Sequence, residues 1–301
     1  MTSKSAATAS ASEVSMDFKK VAVIGGGQMG NGIAHVFALS GCAVALIDVN
    51  KEAAEKGLAV IEKNLARQAK KGLITEESAQ ATGARLSACF ELSAAQDADL
   101  VIEAVPEKLE LKQKIFAELD KLCPPETILA TNTSSLPIGE IAKATQRAPK
   151  VIGMHFMNPV PVMKLVEIIR GKETSDATYQ AVEQATRALG KTPACSNDFP
   201  GFIANRILMP MINEAVFALE QGVASKEDID TTMKLGLNHP MGPLTLADFI
   251  GLDTCLFILN VLYDGFKDEK YKPCALLQKL VDQGHLGRKS GQGFYDWSDK
   301  K

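Results

Sequence analysis

Three hundred and one residues correspond to about two domains at roughly 150 residues each. A content of 46% hydrophobic and 23% charged residues excludes disorder throughout and fibrous repeats. With 33 basic against 36 acidic residues, a net charge of −3 and no Lys/Arg cluster, the chain lacks a nucleic-acid footprint, and no apolar run approaches the ~18–20 residues of a membrane span.

The first seventeen residues, Met1 to Asp17, are rich in Ser, Ala and Thr and hold no continuous apolar core. They read as a disordered leader rather than a secretory signal. Six dispersed cysteines without a C-x-x-C pair read as reduced thiols, which places the protein in the cytoplasm. From Lys19 the pattern changes. Short apolar runs at Val21–Ile24, Ala43–Ile47, Leu100–Ile102, Thr127–Ala130 and Val151–Met154 have the character of doubly buried parallel strands. Helical stretches such as Asn31–Leu39 and Glu107–Leu122 lie between them. The charged stretch Lys51–Lys71 is longer than a crossover requires and reads as a helical excursion from the sheet. Alternating strand and helix predicts a doubly wound, mostly parallel sheet of Rossmann type over residues 18–200. Beyond Pro200-Gly201 the strands stop. Phe202–Gln221, Lys226–Leu235, Leu244–Ile250, Thr254–Tyr263 and Cys274–Gln283 all read as helices, so residues 201–301 form an all-α second domain.

Gly25-Gly26-Gly27-Gln28-Met29-Gly30 satisfies G-x-G-x-x-G after a strand and at the start of a helix, and Asp48 ends the next strand. Gly25 makes the tight turn, Gly27 admits a pyrophosphate to the backbone, and Gly30 lets helix and strand pack closely. Asp48 suits a ribose 2′-hydroxyl and repels a 2′-phosphate, which favours NAD over NADP. The same cradle suits FAD, and a glycine-rich turn that binds nothing has the same pattern.

Of four histidines, His35 lies inside the first helix as a packed or surface residue, while His239 and His285 sit in loops without an acidic neighbour in sequence. His155 ends a strand, where ligands collect in open α/β sheets. The turn Asn158-Pro159-Val160-Pro161 follows, and then the apolar run Val162–Ile169 carries one carboxylate, Glu167. A charge inside such a run is costly unless paired. A chain reversal at the prolines brings Glu167 to His155 as a general acid/base pair; the alternative partner is Arg170 in a structural ion pair. Metal-ligand spacing is missing, so no metal is expected. Asn132-Thr133-Ser134-Ser135 follows another strand end, either as a site element or as an ordinary helix cap. Asn205 lies just past the domain junction, where substrates commonly bind, or makes an interhelical hydrogen bond.

Together the stretches GGGQMGNGIA, EAVPEKLEL, NTSSL and HFMNPVPVMKLVE, with PGFIANRIL, KEDIDTTMKLG, HPMGPL and GRKSGQGFY in the second half, resemble the L-3-hydroxyacyl-CoA dehydrogenases, the bacterial 3-hydroxybutyryl-CoA enzymes in particular. The resemblance runs from about Phe18 to Trp297. It implies NAD-dependent oxidation of a short-chain (S)-3-hydroxyacyl-CoA to the 3-ketoacyl-CoA, and the reverse reduction of acetoacetyl-CoA. Carried over residue by residue, it implies His155 as catalytic base with Glu167 as its partner. Ser134 and Asn205 then hold the substrate's C3 oxygen and the imidazole, and Asn158 lies near the nicotinamide. Glu107, Lys112 and Lys289 are implied as cofactor contacts, with Asn64 and Lys71 as contacts to CoA. A homodimer formed through the helical domain is implied as well. Phe156-Met157 stands where the family often has two phenylalanines, and Asn64 where some members carry a hydroxyl. The competing readings are a dehydrogenase of free hydroxy acids and a crystallin-like relative that binds NAD without turnover.

Overall fold

The computed structural model describes residues 15–299, which divide into two compact units. The first runs to Thr133 and resumes over Ile138–Asp198; the second comprises Ser134–Pro137 and the chain from Phe199 onward. The second unit's main stretch begins beside the expected boundary at Pro200, and the short Ser134–Pro137 segment groups with it; there the Asn205 amide donates to the Ser134 carbonyl (2.9 Å). Residues 1–14 of the expected leader lie outside the described residues. Ser15–Asp17 depart from that expectation. The Gln184 amide donates to the Ser15 carbonyl (3.3 Å) and the Asp17 carboxylate (2.9 Å), and Met16 packs on the core.

The first unit begins with β1 (Lys20–Ile24), α1 (Gln28–Leu39) and β2 (Ala43–Ile47). α2 (Lys51–Lys70), α3 (Glu76–Gly83), β3 (Leu86–Cys89), β4 (Leu100–Glu103) and α4 (Leu109–Leu122) follow. Then come β5 (Ile128–Thr131), α5 (Ile138–Ala142), β6 (Val151–Phe156), β7 (Leu165–Arg170), α6 (Asp176–Ala188) and β8 (Thr192–Asn197). The sheet order is β3-β2-β1-β4-β5-β6-β7-β8, parallel except between β6 and β7. β1 and β4 flank the point where the order reverses, and in such sheets ligands bind beyond the strand ends there. The central strands bury on both faces, which explains their unbroken apolar runs. β3 and β8 escaped the sequence reading because they lie at the edges and mix Ser, Cys, Thr and Pro with few large apolar residues.

Asn50 caps α2 by accepting from the Ala53 amide (2.9 Å). Ala54, Gly57, Ile61 and Leu65 are buried at helical spacing. The Lys51–Lys71 stretch thus packs one face on the core instead of standing clear of it, and returns to the sheet through α3, capped by Thr75.

The second unit contains α7 (Ala204–Glu220), α8 (Lys226–Thr231), α9 (Pro243–Ile250), α10 (Leu252–Phe266) and α11 (Ala275–Asp282), with a π-helical turn over Thr232–Gly236. Two buried carboxylates organise it. Asp230 accepts from the amides of Leu244 and Thr245 and from the Tyr295 hydroxyl. Asp248 accepts from the amides of Phe294 and Tyr295 and from the Trp297 indole, which pins the C-terminal segment. Burial pushes the Asp248 carboxyl above its ordinary value, and the Trp297 and backbone donors offset part of that. Among the described residues no single helix is long and apolar enough to cross a membrane.

Candidate active site

The glycine-rich loop joins β1 to α1. Gly25 has φ +100°, and a Cβ there would lie 2.7 Å from the Ala104 carbonyl oxygen on the neighbouring strand's extension. A Cβ at Gly30 would stand 1.7 Å from the Gly25 carbonyl oxygen, so only glycine lets α1 approach the turn. Gly27 is different: a Cβ there would meet nothing within 4 Å, and the open space is what a bound phosphate group requires. α1 starts at Gln28, and its first-turn amides, including that of Met29, lack helical carbonyl partners. The Met29 side chain packs against the core, leaving its backbone as the group that serves a ligand.

Asp48 lies just past the end of β2. Its Oδ2 accepts from the Gly26 amide (2.6 Å) and its Oδ1 from the Val49 amide (2.7 Å), which orients the carboxylate with lone pairs left for hydroxyl donors. A cavity of about 580 Å³ opens here; Gly27, Asp48, Lys56, Asn64 and Asn158 are among the residues that line it. Open space at Gly27, exposed helix amides and an oriented acid at the second strand fit NAD.

His155 and Glu167 are register partners across the antiparallel β6–β7 pair. Their side chains therefore project to the same side of the sheet, and His155 Nδ1 stands 2.7 Å from Glu167 Oε2. The histidine is 8% exposed and the glutamate 1%. Arg170, the competing partner, turns instead to Asp176 (2.6 Å). The ring's hydrogen bond to a buried carboxylate fixes its tautomer and orientation.

Other expected residues fall into separate groups. In the second unit Asn205, 8% exposed on α7, holds the Ser134 carbonyl. Lys289 pairs with Asp253 (2.5 Å). In the first unit Asn158 accepts from the Gln28 amide (3.1 Å), which ties the turn after His155 to the glycine-rich loop. Asn64 accepts from Arg67 (2.8 Å), and Lys71 caps the end of α2 in an exposed position.

Glu107 accepts from the Thr133 hydroxyl (2.5 Å) and pairs with Lys112 at 3.3 Å. Lys112 departs from the expectation of a direct cofactor contact. It is 1% exposed; its ammonium donates to Glu103 (2.6 Å) and the Val105 carbonyl (3.3 Å) and forms an ion pair with Glu107. Glu103, fully buried, also accepts from Thr131 (2.7 Å) and the Val105 amide (2.7 Å). Burial pushes its carboxyl upward against the pull of the Lys112 ammonium. Glu103 had no assigned role in the sequence reading, although a charged residue directly after Leu100–Ile102 was a visible signal. Gly57 was passed over as well; a Cβ there would meet the Gly26 carbonyl at 3.0 Å, so it brings α2 against the loop.

Comparison with known proteins agrees over nearly the whole chain. Residues 20–199 match the 3-hydroxyacyl-CoA dehydrogenase NAD binding domain, and residues 201–297 the 3-hydroxyacyl-CoA dehydrogenase C-terminal domain. The probable 3-hydroxybutyryl-CoA dehydrogenase of Bacillus subtilis is 56% identical over 285 residues, covering 95% of this chain and 99% of its own. The 3-hydroxybutyryl-CoA dehydrogenase of Bradyrhizobium diazoefficiens is 55% identical over 283 residues, covering 94% and 97%. The crystal structure of (S)-3-hydroxybutyryl-CoA dehydrogenase from Ralstonia eutropha superposes with a TM-score of 0.91 at 47% identity, over 93% of this chain and 99% of that one.

Proposed function

The chain belongs to the NAD-dependent 3-hydroxyacyl-CoA dehydrogenase family, and from that premise we propose that His155 and Glu167 are the acid/base pair that interconverts a short-chain (S)-3-hydroxyacyl-CoA and its 3-ketoacyl-CoA. The observation that carries the reading is the 2.7 Å contact between two buried side chains placed by strand register. Oxidation removes a proton from the C3 hydroxyl while NAD, when bound, supplies the hydride acceptor. Glu167 accepts a hydrogen bond from the imidazole Nδ1–H, which keeps its proton, so Nε2 is the basic nitrogen and takes the hydroxyl proton. The carboxylate then offsets the positive charge of the ring; in ketone reduction the same nitrogen returns the proton. The family resemblance assigns Ser134 and Asn205 to the substrate's C3 oxygen. Gly25, Gly27, Gln28, Met29, Gly30 and Asp48 hold the dinucleotide, with Asn158 toward the nicotinamide and Lys289 as a further contact. Glu107 touches the cofactor directly and Lys112 acts through it. Asn64 and Lys71 read the CoA end.

The enzyme works as a homodimer through its helical unit, a reading supported by exposed Ile207, Val223, Leu235 and Leu237 there. A cytoplasmic location is supported by six free cysteines. The test is NADH oxidation with acetoacetyl-CoA, longer 3-ketoacyl-CoAs and free acetoacetate side by side. His155→Ala lowers kcat by roughly 10²–10⁴, the scale of a positioned acid/base, with NADH affinity unchanged. Glu167→Gln keeps the shape and lowers kcat as well; near-normal kcat in that variant refutes the pair.

A further inference from the structure

The loop from Asn158 to Lys164 follows the histidine strand and supplies Asn158, Pro159, Val160 and Pro161 to the cavity wall. It is fastened at three places. Asn158 bonds Gln28 at its start. Val160 and Pro161 lean on Gly32 of α1, where a Cβ would stand 2.8 Å from Val160 Cβ and 3.6 Å from Pro161 Cδ. The third fastening is Lys191, between α6 and β8, whose ammonium donates to the carbonyls of Val160 and Met163, each at 2.6 Å. Lys191 is 8% exposed, and no carboxylate lies within 4 Å of its ammonium among the described residues. A buried cation bonded only to carbonyls is an expensive way to close a loop, since an apolar side chain would fill the same space without the desolvation cost. Burial alone acts on the Lys191 ammonium, and it pushes the group below its ordinary value.

We propose that Lys191 is a positioning residue for the reaction: its two carbonyl bonds, working against the seat at Gly32, fix the Asn158–Lys164 loop at the height that places Asn158 for the cofactor. The inference rests on the reading of Asn158 as a nicotinamide-side residue. Charge-assisted bonds to two carbonyls three residues apart hold the turn as a rigid body, and the Val162 and Met163 amides, both directed to the Pro159 carbonyl (3.0 Å each), complete it. With the loop released, Asn158 loses its fixed place while β6 and β7 retain theirs.

The test uses two variants that disturb the loop from opposite sides. Lys191→Met removes the ammonium at similar length, and Gly32→Ala inserts a methyl group against Val160 without touching Lys191. For each, kcat, KM for acetoacetyl-CoA and NADH, the NADH dissociation constant and Tm are measured on the full-length enzyme. Displacements of about 1 Å near reacting atoms cost up to ~10²-fold, so both variants should lose about tenfold or more in kcat while NADH affinity changes less than about threefold. A purely structural role would lower Tm and leave kcat alone; a Lys191→Met enzyme with kcat within about twofold of the parent overturns the proposal whatever its Tm. Should Lys191→Met fail to fold, the same criterion applied to Gly32→Ala decides. His155→Ala run alongside separates the two readings, because its retention of activity would refute the acid/base pair and not the loop anchor.

Discussion

His35 sits in α1, 1% exposed, and neither ring nitrogen has a hydrogen-bond partner among the described residues. Burial pushes it down to about 4 from an ordinary 6.5. The unfolded chain therefore binds more protons between pH 6.5 and 4, and stability falls as pH drops through that window. The full penalty below pH 4 is about 3 kcal/mol, and about 2 kcal/mol of it is already present at pH 5 relative to pH 7. His35→Leu removes the titration with little change in volume. At pH 7 the variant should be at least as stable as the parent, since it also removes two unpaired polar atoms. Urea unfolding followed by circular dichroism at pH 7, 6 and 5 should show the variant gaining on the parent by about 2 kcal/mol across that range. Parallel pH dependences for the two proteins would refute the reasoning and mean that His35 titrates alike folded and unfolded.

Asp48→Ser combined with Val49→Arg should shift preference from NAD toward NADP, read as the ratio of kcat/KM values. Val49 is the better place for the arginine because it is 88% exposed, whereas Asn50 caps α2 and its loss costs about 1 kcal/mol. Lys112→Met should destabilise the first unit by about 3–5 kcal/mol by stranding Glu103, and Glu103→Gln in the same chain should restore most of it. Denaturation of the two single variants and the double variant checks this, and additive losses would show that the pair is not coupled.

The acid/base pair was legible because Glu167 was the single carboxylate in an apolar run and the prolines marked a reversal. Register then did what spacing could not, choosing His155 over Arg170. Lys112 was misleading. The resemblance implied a cofactor contact for it, whereas its burial depends on Glu103, contributed by a different element. Lys191 carried no signal at all, since its partners are backbone carbonyls, which look alike in every sequence. The excursion over Lys51–Lys71 was legible as a helix, but its packing hinged on Gly57, whose meaning is a close approach that only the fold reveals.

The antiparallel turn of β7 has an evolutionary consequence. β7 is held on one side by β6 over four register pairs and on the other by β8 over six, so a slip of one residue would break both ladders and turn Glu167 to the opposite face. Register is thus insulated from the length of the loop between β6 and β7. Insertions there can be accepted or discarded without separating the pair, provided the anchoring residues are rebuilt. The His155–Glu167 pair stays fixed in the sheet, and what a change of loop length puts at stake is the placement of Asn158 rather than the pairing of the acid and base.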